Sequence, residues 1–293
     1  MELRQLKYFV TIVEQMSFSK AAEILHISQP SLSNTIKNLE IEVGFQVLER
    51  NTRNMRLTEG GEILYERALQ LLAESAAMEK EMAEVKESGS GNLSIGMIES
   101  AKHWMPKIIA QYTKQYPNMS LHLTEVLSEE AVQKSLRNYE THAIITNQQV
   151  KDEDIESIPL YDEKFVLLLH EAHPLRSREK VSIQDLATEP LIITSDGFQT
   201  RKDIMKAFES KAITPRIKYE IERFETALSF VSENLGVALI PENYLKNPRN
   251  YQIVSKKIDS PLLERTVYLS YLKNRYMSPA NEAFILGMER FFL

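Results

Sequence analysis

The chain has 293 residues, room for about two domains on the usual prior, and its 43% hydrophobic and 26% charged residues are globular usage that excludes a disordered or fibrous chain. It has no cysteine, which excludes disulfides, cysteine-based zinc sites and thiol nucleophiles. It also has no run of 18 apolar residues, and Met1-Glu2-Leu3-Arg4 opens with charge rather than an apolar signal segment, so the expectation is a cytoplasmic protein with no membrane partner. Net charge is −6 but uneven: residues 1–58 carry seven Lys/Arg against six Asp/Glu, a net of +1, and the remainder holds −7. A locally basic head matters for partners more than the total does.

In chain order, Leu3, Leu6, Phe9, Val10 and Val13 give a helical period over residues 3–15. Ser17-Phe18-Ser19 offers a hydroxyl cap for a short second helix, Lys20–Leu25, whose Ala21 and Ala22 let another helix approach. After His26-Ile27, Ser28 is the cap of a third helix, with Pro30 in its first turn and Gly44 as its stop. Leu32, Ile36, Leu39 and Val43 form one stripe of that helix. The opposite face carries Pro30, Asn34, Lys37 and Asn38, with Ser33 on its flank. A solvated helix face is usually rich in Glu and Lys. This one holds hydroxyls, amides and one lysine, groups that reach base edges and phosphates, so the pattern is a helix-turn-helix. Residues 45–58 then alternate around Arg50-Asn51-Thr52-Arg53-Asn54, the pattern of a two-stranded wing. Its arginine-bearing tip suits the minor groove or the phosphates.

Phe9, Ser17-Phe18-Ser19-Lys20-Ala21-Ala22, Leu25, Ser28-Gln29-Pro30-Ser31-Leu32-Ser33, Ile36, Leu39-Glu40, Gly44, Arg50, and Arg53 with Leu57-Thr58-Glu59-Gly60-Gly61 carry a resemblance to the winged helix-turn-helix of LysR-type transcriptional regulators. Two departures from the family pattern are Leu48, where Phe is frequent, and Asn34, where Arg is frequent. The second bears on a phosphate contact and on base preference.

Residues 58–86 predict a long helix. Leu64, Ala68, Leu71, Ser75, Met78, Met82 and Val85 step by four and three, an a/d seam over three heptads. Such a seam is narrower than a core-facing stripe and points to self-association, and in the resembled family this helix pairs two subunits. Glu87-Ser88-Gly89-Ser90-Gly91 reads as a hinge.

From residue 91 strands and helices alternate, which implies parallel sheets. Strands are expected over 92–97, 120–126, 142–146, 165–170, 190–194, 217–221, 237–240 and 266–272. Helices are expected over 106–116, 129–138, 202–210, 226–234 and 277–292. The supporting stretches, among them His173-Pro174-Leu175, Val181-Ser182-Ile183-Gln184-Asp185-Leu186 and Gly236-Val237-Ala238-Leu239-Ile240-Pro241, are similar to the effector domain of the same family. That resemblance implies a fold of periplasmic-binding-protein type. The expected class is therefore α/β: a winged helix-turn-helix over 1–58, a linker and dimerisation helix over 59–87, and an effector-binding domain over 88–293. The last splits into subdomain I, about 92–161 and 266–293, and subdomain II, about 162–265.

No phosphate-binding glycine motif and no Gly-x-Ser-x-Gly is present. His170 and His173 lack a third ligand and read as a surface turn, and His142 as a structural histidine. No catalytic residue, metal site or cofactor is expected, and the chain is read as not an enzyme. A ligand site is better supported, since ligands lie beyond the carboxyl ends of strands in open α/β sheets. Ser100, Lys102, Ser128, Thr146, Thr200, Arg201 and Phe224 all fall at such ends or at helix starts, where anions are held well.

Together these features read as a DNA-binding transcriptional regulator sensing a small, anionic effector. Its partners would be double-stranded DNA bearing an interrupted inverted repeat, further copies of itself as homodimer or homotetramer, and RNA polymerase. Ser28, Gln29, Pro30, Ser31, Ser33, Asn34, Lys37, Arg50 and Arg53 are the expected DNA contacts. The competing reading is a soluble binding protein or enzyme of periplasmic-binding-protein fold with no DNA role.

Overall fold

The computed structural model describes residues 1–50, 55–86, 90–245 and 251–293, with the side chains of Arg50, Lys80 and residues 83–86 left aside. The chain forms two compact units, one built on Met1–Lys86 and one on the chain from Glu87 onward.

The first unit opens with α1 (Leu3–Gln15), α2 (Phe18–Ile24) and α3 (Gln29–Val43). Ser17 caps α2 by accepting from the Lys20 N–H at 3.3 Å, and Ser28 caps α3 by accepting from Ser31 at 3.4 Å. The turn between them is tight because His26 adopts a left-handed φ of 54° and Ile27 N–H donates back to Ala22 O at 3.0 Å. Ala21 and Ala22 are buried there, as expected of small residues at a close helix approach. Gly44 ends α3 at φ 84°, a conformation that suits glycine. Strands β1 (Leu48–Arg50) and β2 (Met55–Leu57) pair antiparallel, Glu49 opposite Arg56. These are the two wing strands. The expected tip contact Arg53, like the side chain of Arg50, lies outside the described residues.

Helix α4 (Glu59–Lys86) follows, and Thr58 Oγ1 caps its start by accepting from the Gly61 N–H at 2.9 Å. A Cβ on Gly61 would stand 2.0 Å from Val47 O, so glycine is what lets α4 start against the wing. The main head core holds Phe9, Ile12, Leu32, Ile36, Leu39 and Val47 fully enclosed, with Leu48 buried among them. The seam of α4 divides: Leu64 and Ala68 pack on Leu6 and Val10 of α1, while Leu71, Met78 and Met82 stand 43%, 57% and 61% exposed. The expectation of one continuous self-association seam is corrected for its first turns, because α1 covers them. The side chain of Val85 and residues 87–89 of the hinge lie outside the described residues.

The second unit runs β3 (Ser90–Met97), α5 (Met105–Gln115), β4 (Asn118–Glu125), α6 (Glu129–Arg137), β5 (Ala143–Thr146), β6 (Ile155–His170), β7 (Lys180–Ser182), β8 (Pro190–Thr194), α7 (Gln199–Glu209), β9 (Arg216–Ile221), α8 (Phe224–Ser232), β10 (Val237–Pro241), β11 (Ile253–Asp259), β12 (Glu264–Leu272) and α9 (Pro279–Phe292). The sheet order is β4-β3-β5-β12-β6-β10-β8-β9, with β11 pairing β6 and β7. Strand β6 is the shared element. Its first part, from Ile155 to Lys164, pairs with β12, and its last part, from Phe165 to His170, pairs with β10 and β11. Two cores gather on the first half-sheet, one around Leu93, Ile95, Met105 and Phe284 and one around Val132, Leu136 and Ile144. Two more gather on opposite faces of the second half-sheet around Phe208 and Val231. Strand 165–170 is thus only the end of a 16-residue strand, and β7 and β11 are additions to the expected set.

Candidate DNA interface and effector crevice

On α3, burial of Leu32, Ile36 and Leu39 turns the opposite face outward. Ser28, Gln29, Pro30, Ser31, Asn34 and Lys37 are exposed, and Ser33 is half-buried. Of the candidate DNA contacts that are described, these seven therefore share one helix start and one accessible face. The Ser28 hydroxyl is engaged in capping α3, and Gln29, Ser31, Asn34 and Lys37 are solvent-exposed.

The second unit holds a crevice between its two half-sheets, lined by Ile98, Glu99, Ser100, Leu127, Asn147, Thr194, Phe198, Gln199, Thr200, Glu222, Phe224 and Arg265. It has room for about one water molecule, about 20 Å³. Ser100 is 1% exposed and sits in a 3₁₀ turn, Glu99–His103, after β3. Its Oγ lies near Tyr161 but outside hydrogen-bond geometry. Thr194 Oγ1 and Asn147 Oδ1 are likewise buried without a hydrogen-bond partner. Three polar atoms left unmatched on one crevice represent a real desolvation cost, each about 1–3 kcal/mol, which a polar ligand or a water would recover.

Ser100, Thr200 and Phe224 line the crevice as expected; the other four residues sit elsewhere. Ser128 caps α6, accepting from Ala131 N–H at 3.2 Å, and its neighbour Leu127 lines the crevice instead. Thr146 is buried and accepts from Gln148 N–H at 3.3 Å, and its neighbour Asn147 takes the lining place. Lys102 Nζ donates to Tyr244 Oη at 2.6 Å and pairs with Glu99 at 3.4 Å. Arg201 turns away to Asp196 at 2.8 Å, Glu220 at 3.1 Å and the Thr194 carbonyl at 2.9 Å. Thr200 and Arg201 lie inside α7, and Phe224 opens α8, rather than preceding those helices.

Three charged residues of this region are not found by the sequence reading. Arg265 donates to Glu163 Oε2 from Nε (3.0 Å) and Nη2 (2.7 Å), and its Nη1 donates to Asp203 (3.2 Å) and Thr200 Oγ1 (3.1 Å). Arg265 and Glu163 face each other in the β12–β6 ladder, a pairing of residues 102 apart that no local pattern reveals. Glu99, 9% exposed, reaches across the crevice and accepts from the Phe224 N–H at 3.1 Å. Burial, and next the charge of Glu99, hold the Tyr244 hydroxyl above its ordinary range, so Tyr244 stays a neutral acceptor for Lys102. His142 Nδ1 accepts from Ser94 N–H at 3.0 Å, and His173 stands 3.4 Å from Glu189, so both have structural partners. Among the described residues no cluster suits a metal ion, and no helix is long and apolar enough to cross a membrane.

Comparison with known proteins shows the family of each part of the chain. Residues 3–62 match the bacterial regulatory helix-turn-helix protein, lysR family, and residues 86–289 match the LysR substrate binding domain. The chain is 30% identical over 283 residues to the HTH-type transcriptional regulator AlsR of Bacillus subtilis, covering 94% of this chain and 92% of that protein. Among solved structures, a full-length OxyR variant from Pseudomonas aeruginosa matches with a TM-score of 0.67 at 26% identity, covering 99% of this chain and 94% of that one. The effector binding domain of QuiR in complex with shikimate matches with a TM-score of 0.62 at 26% identity, covering 69% and 97%. The chain belongs to the LysR family of DNA-binding transcriptional regulators, proteins that join a helix-turn-helix to an effector-binding domain, and not to a family of enzymes.

Proposed function

We propose that this regulator reads DNA through the exposed start of α3 and answers to a small anionic metabolite held in the crevice around Ser100, Thr194 and Thr200. The observation that carries the effector reading is the convergence of Ser100 Oγ, Thr194 Oγ1 and Asn147 Oδ1, buried and unmatched, on one crevice. Hydroxyls and an amide suit a hydroxylated or carboxylated ligand, and the uncapped start of α7 adds free N–H groups. QuiR, a protein of the same fold, was solved with shikimate, a carboxylate bearing hydroxyls, which supports the same ligand class. The partners we propose are an interrupted inverted repeat in double-stranded DNA, a homodimer or homotetramer of this chain, and, through the family, RNA polymerase, all within the cytoplasm. The domain division proposed is 1–58, 59–87 and 88–293.

Calorimetric titration of the full chain with carboxylate metabolites tests the effector site. Ser100→Ala and Thr194→Val should each weaken a bound anion. Losing one hydrogen bond to a charged group is worth about 1.5–3 kcal/mol, roughly 10- to 150-fold in affinity. Binding that ignores both substitutions would place the effector elsewhere.

A further inference from the structure

The anion-holding part of the crevice is already filled by an anion of the chain's own. Glu99 Oε2 accepts the Phe224 N–H at 3.1 Å, at the start of the nine-residue α8, whose N-cap residue Arg223 gives no side-chain cap. Its other oxygen, Oε1, faces Lys102 Nζ at 3.4 Å. An incoming carboxylate would seek those same groups, a first-turn N–H and a cation. Beside them stands the unmatched, buried Ser100 Oγ, which Glu99 does not satisfy.

We propose that Glu99 is a built-in stand-in for the effector's acid group, and that an anionic effector binds by displacing it from the Phe224 N–H. The proposal rests on the crevice being the effector site. The incoming carboxylate takes over the Phe224 N–H, while Lys102 remains anchored on Tyr244 Oη at 2.6 Å. What changes is connectivity. Glu99 belongs to the 3₁₀ turn after β3 and Phe224 to α8 beyond β9, so the Glu99–Phe224 bond ties one half-sheet's segment to the other's. A free anion in its place satisfies the N–H without that covalent tether. The two states therefore differ in how the halves are joined, which is the differential interaction a ligand needs to shift a conformational equilibrium. It also explains the small space: the crevice is narrow because its occupant is a side chain.

The test uses the full chain with acetate, sulfate and, as the uncharged control, acetamide, followed through the fluorescence of Trp104, the only tryptophan, which directly follows the 3₁₀ turn. Glu99→Ala should bind acetate and sulfate at least tenfold more tightly than the unsubstituted protein, with no gain for acetamide. Equal affinity in both proteins, or an equal gain for acetamide, would overturn the proposal. Should Glu99→Ala fail to fold, Glu99→Gln serves: a gain for the anions alone supports the stand-in role, and no gain overturns it. Adding Ser100→Ala to Glu99→Ala separates the two levels. An anion gain indifferent to Ser100 leaves Glu99 as the competitor but removes the crevice as effector site. A metabolite that depends on Ser100 yet binds equally with and without the Glu99→Ala change keeps the site and defeats the stand-in.

Discussion

At the scale of single residues, the second unit is organised by charges that face each other across strands and across the crevice. Arg265 directs its donors to Glu163, Asp203 and Thr200, and its guanidinium also lies over the Phe165 ring at 4.8 Å. The Glu163 side chain is fully enclosed and that of Arg265 is 9% exposed. Removing one partner of such a pair leaves a buried charge without compensation, at a cost of about 3–5 kcal/mol. Arg265→Met should therefore lower the urea midpoint of the effector unit strongly, while Lys164→Met, whose pair with Glu264 is exposed, should leave it nearly unchanged. Equal effects of the two would contradict the assignment. On the DNA side, Lys37→Ala should weaken all sequences alike and reduce the salt slope by about 0.9 if it neutralises one phosphate. Gln29→Ala should instead relax choice at one or two base pairs, as read from binding to a randomised duplex pool.

At the scale of elements, α4 shows how a periodic pattern can serve two surfaces. The helical period of its apolar residues is plain in the sequence, but which neighbour covers them is not. Leu64 and Ala68 face α1 because that helix presents Leu6 and Val10 at the same level. Leu71, Met78 and Met82 remain uncovered. Replacing Leu71 or Met78 by Glu should accordingly abolish self-association and leave head stability nearly intact, whereas Ala68→Glu should unfold the head, both read by sedimentation and thermal melting. The reverse pattern would put the seam in the intrachain core. The same contrast explains what is legible elsewhere. The helices of the head are readable because caps such as Ser17 and Ser28, and the stop at Gly44, are local signals. Strand β6 is only half legible because its first part, Ile155 to Lys164, mixes exposed polar and apolar residues opposite β12 and lacks the continuous run of Phe165–Leu169. In the crevice, hydroxyls at strand ends lead to Ser100 and Thr200, but Glu99, Glu163 and Arg265 depend on pairings across 100 residues or more. The expected cations miss the crevice for a different reason: Lys102 and Arg201 stand at helix starts in sequence, yet carboxylates only three and five residues away, Glu99 and Asp196, claim both.

At the scale of the whole molecule, the slightly basic head and the acidic body divide the work. The α3 face is free of carboxylates where it would meet phosphates, and much of the body's acidity sits in the α4 segment, where residues 59–87 carry three Lys/Arg against eight Asp/Glu. One recognition helix per chain and an uncovered seam on α4 lead to the expectation that at least two copies share one DNA site. The most direct test is footprinting of the full-length protein on the DNA upstream of its own gene, alongside the Leu71→Glu variant. Two protected half-sites about one helical turn apart, roughly 34–36 Å, both lost in the variant, are the predicted result. Protection of a single half-site, unchanged by scrambling its mate and unchanged in Leu71→Glu, would contradict it.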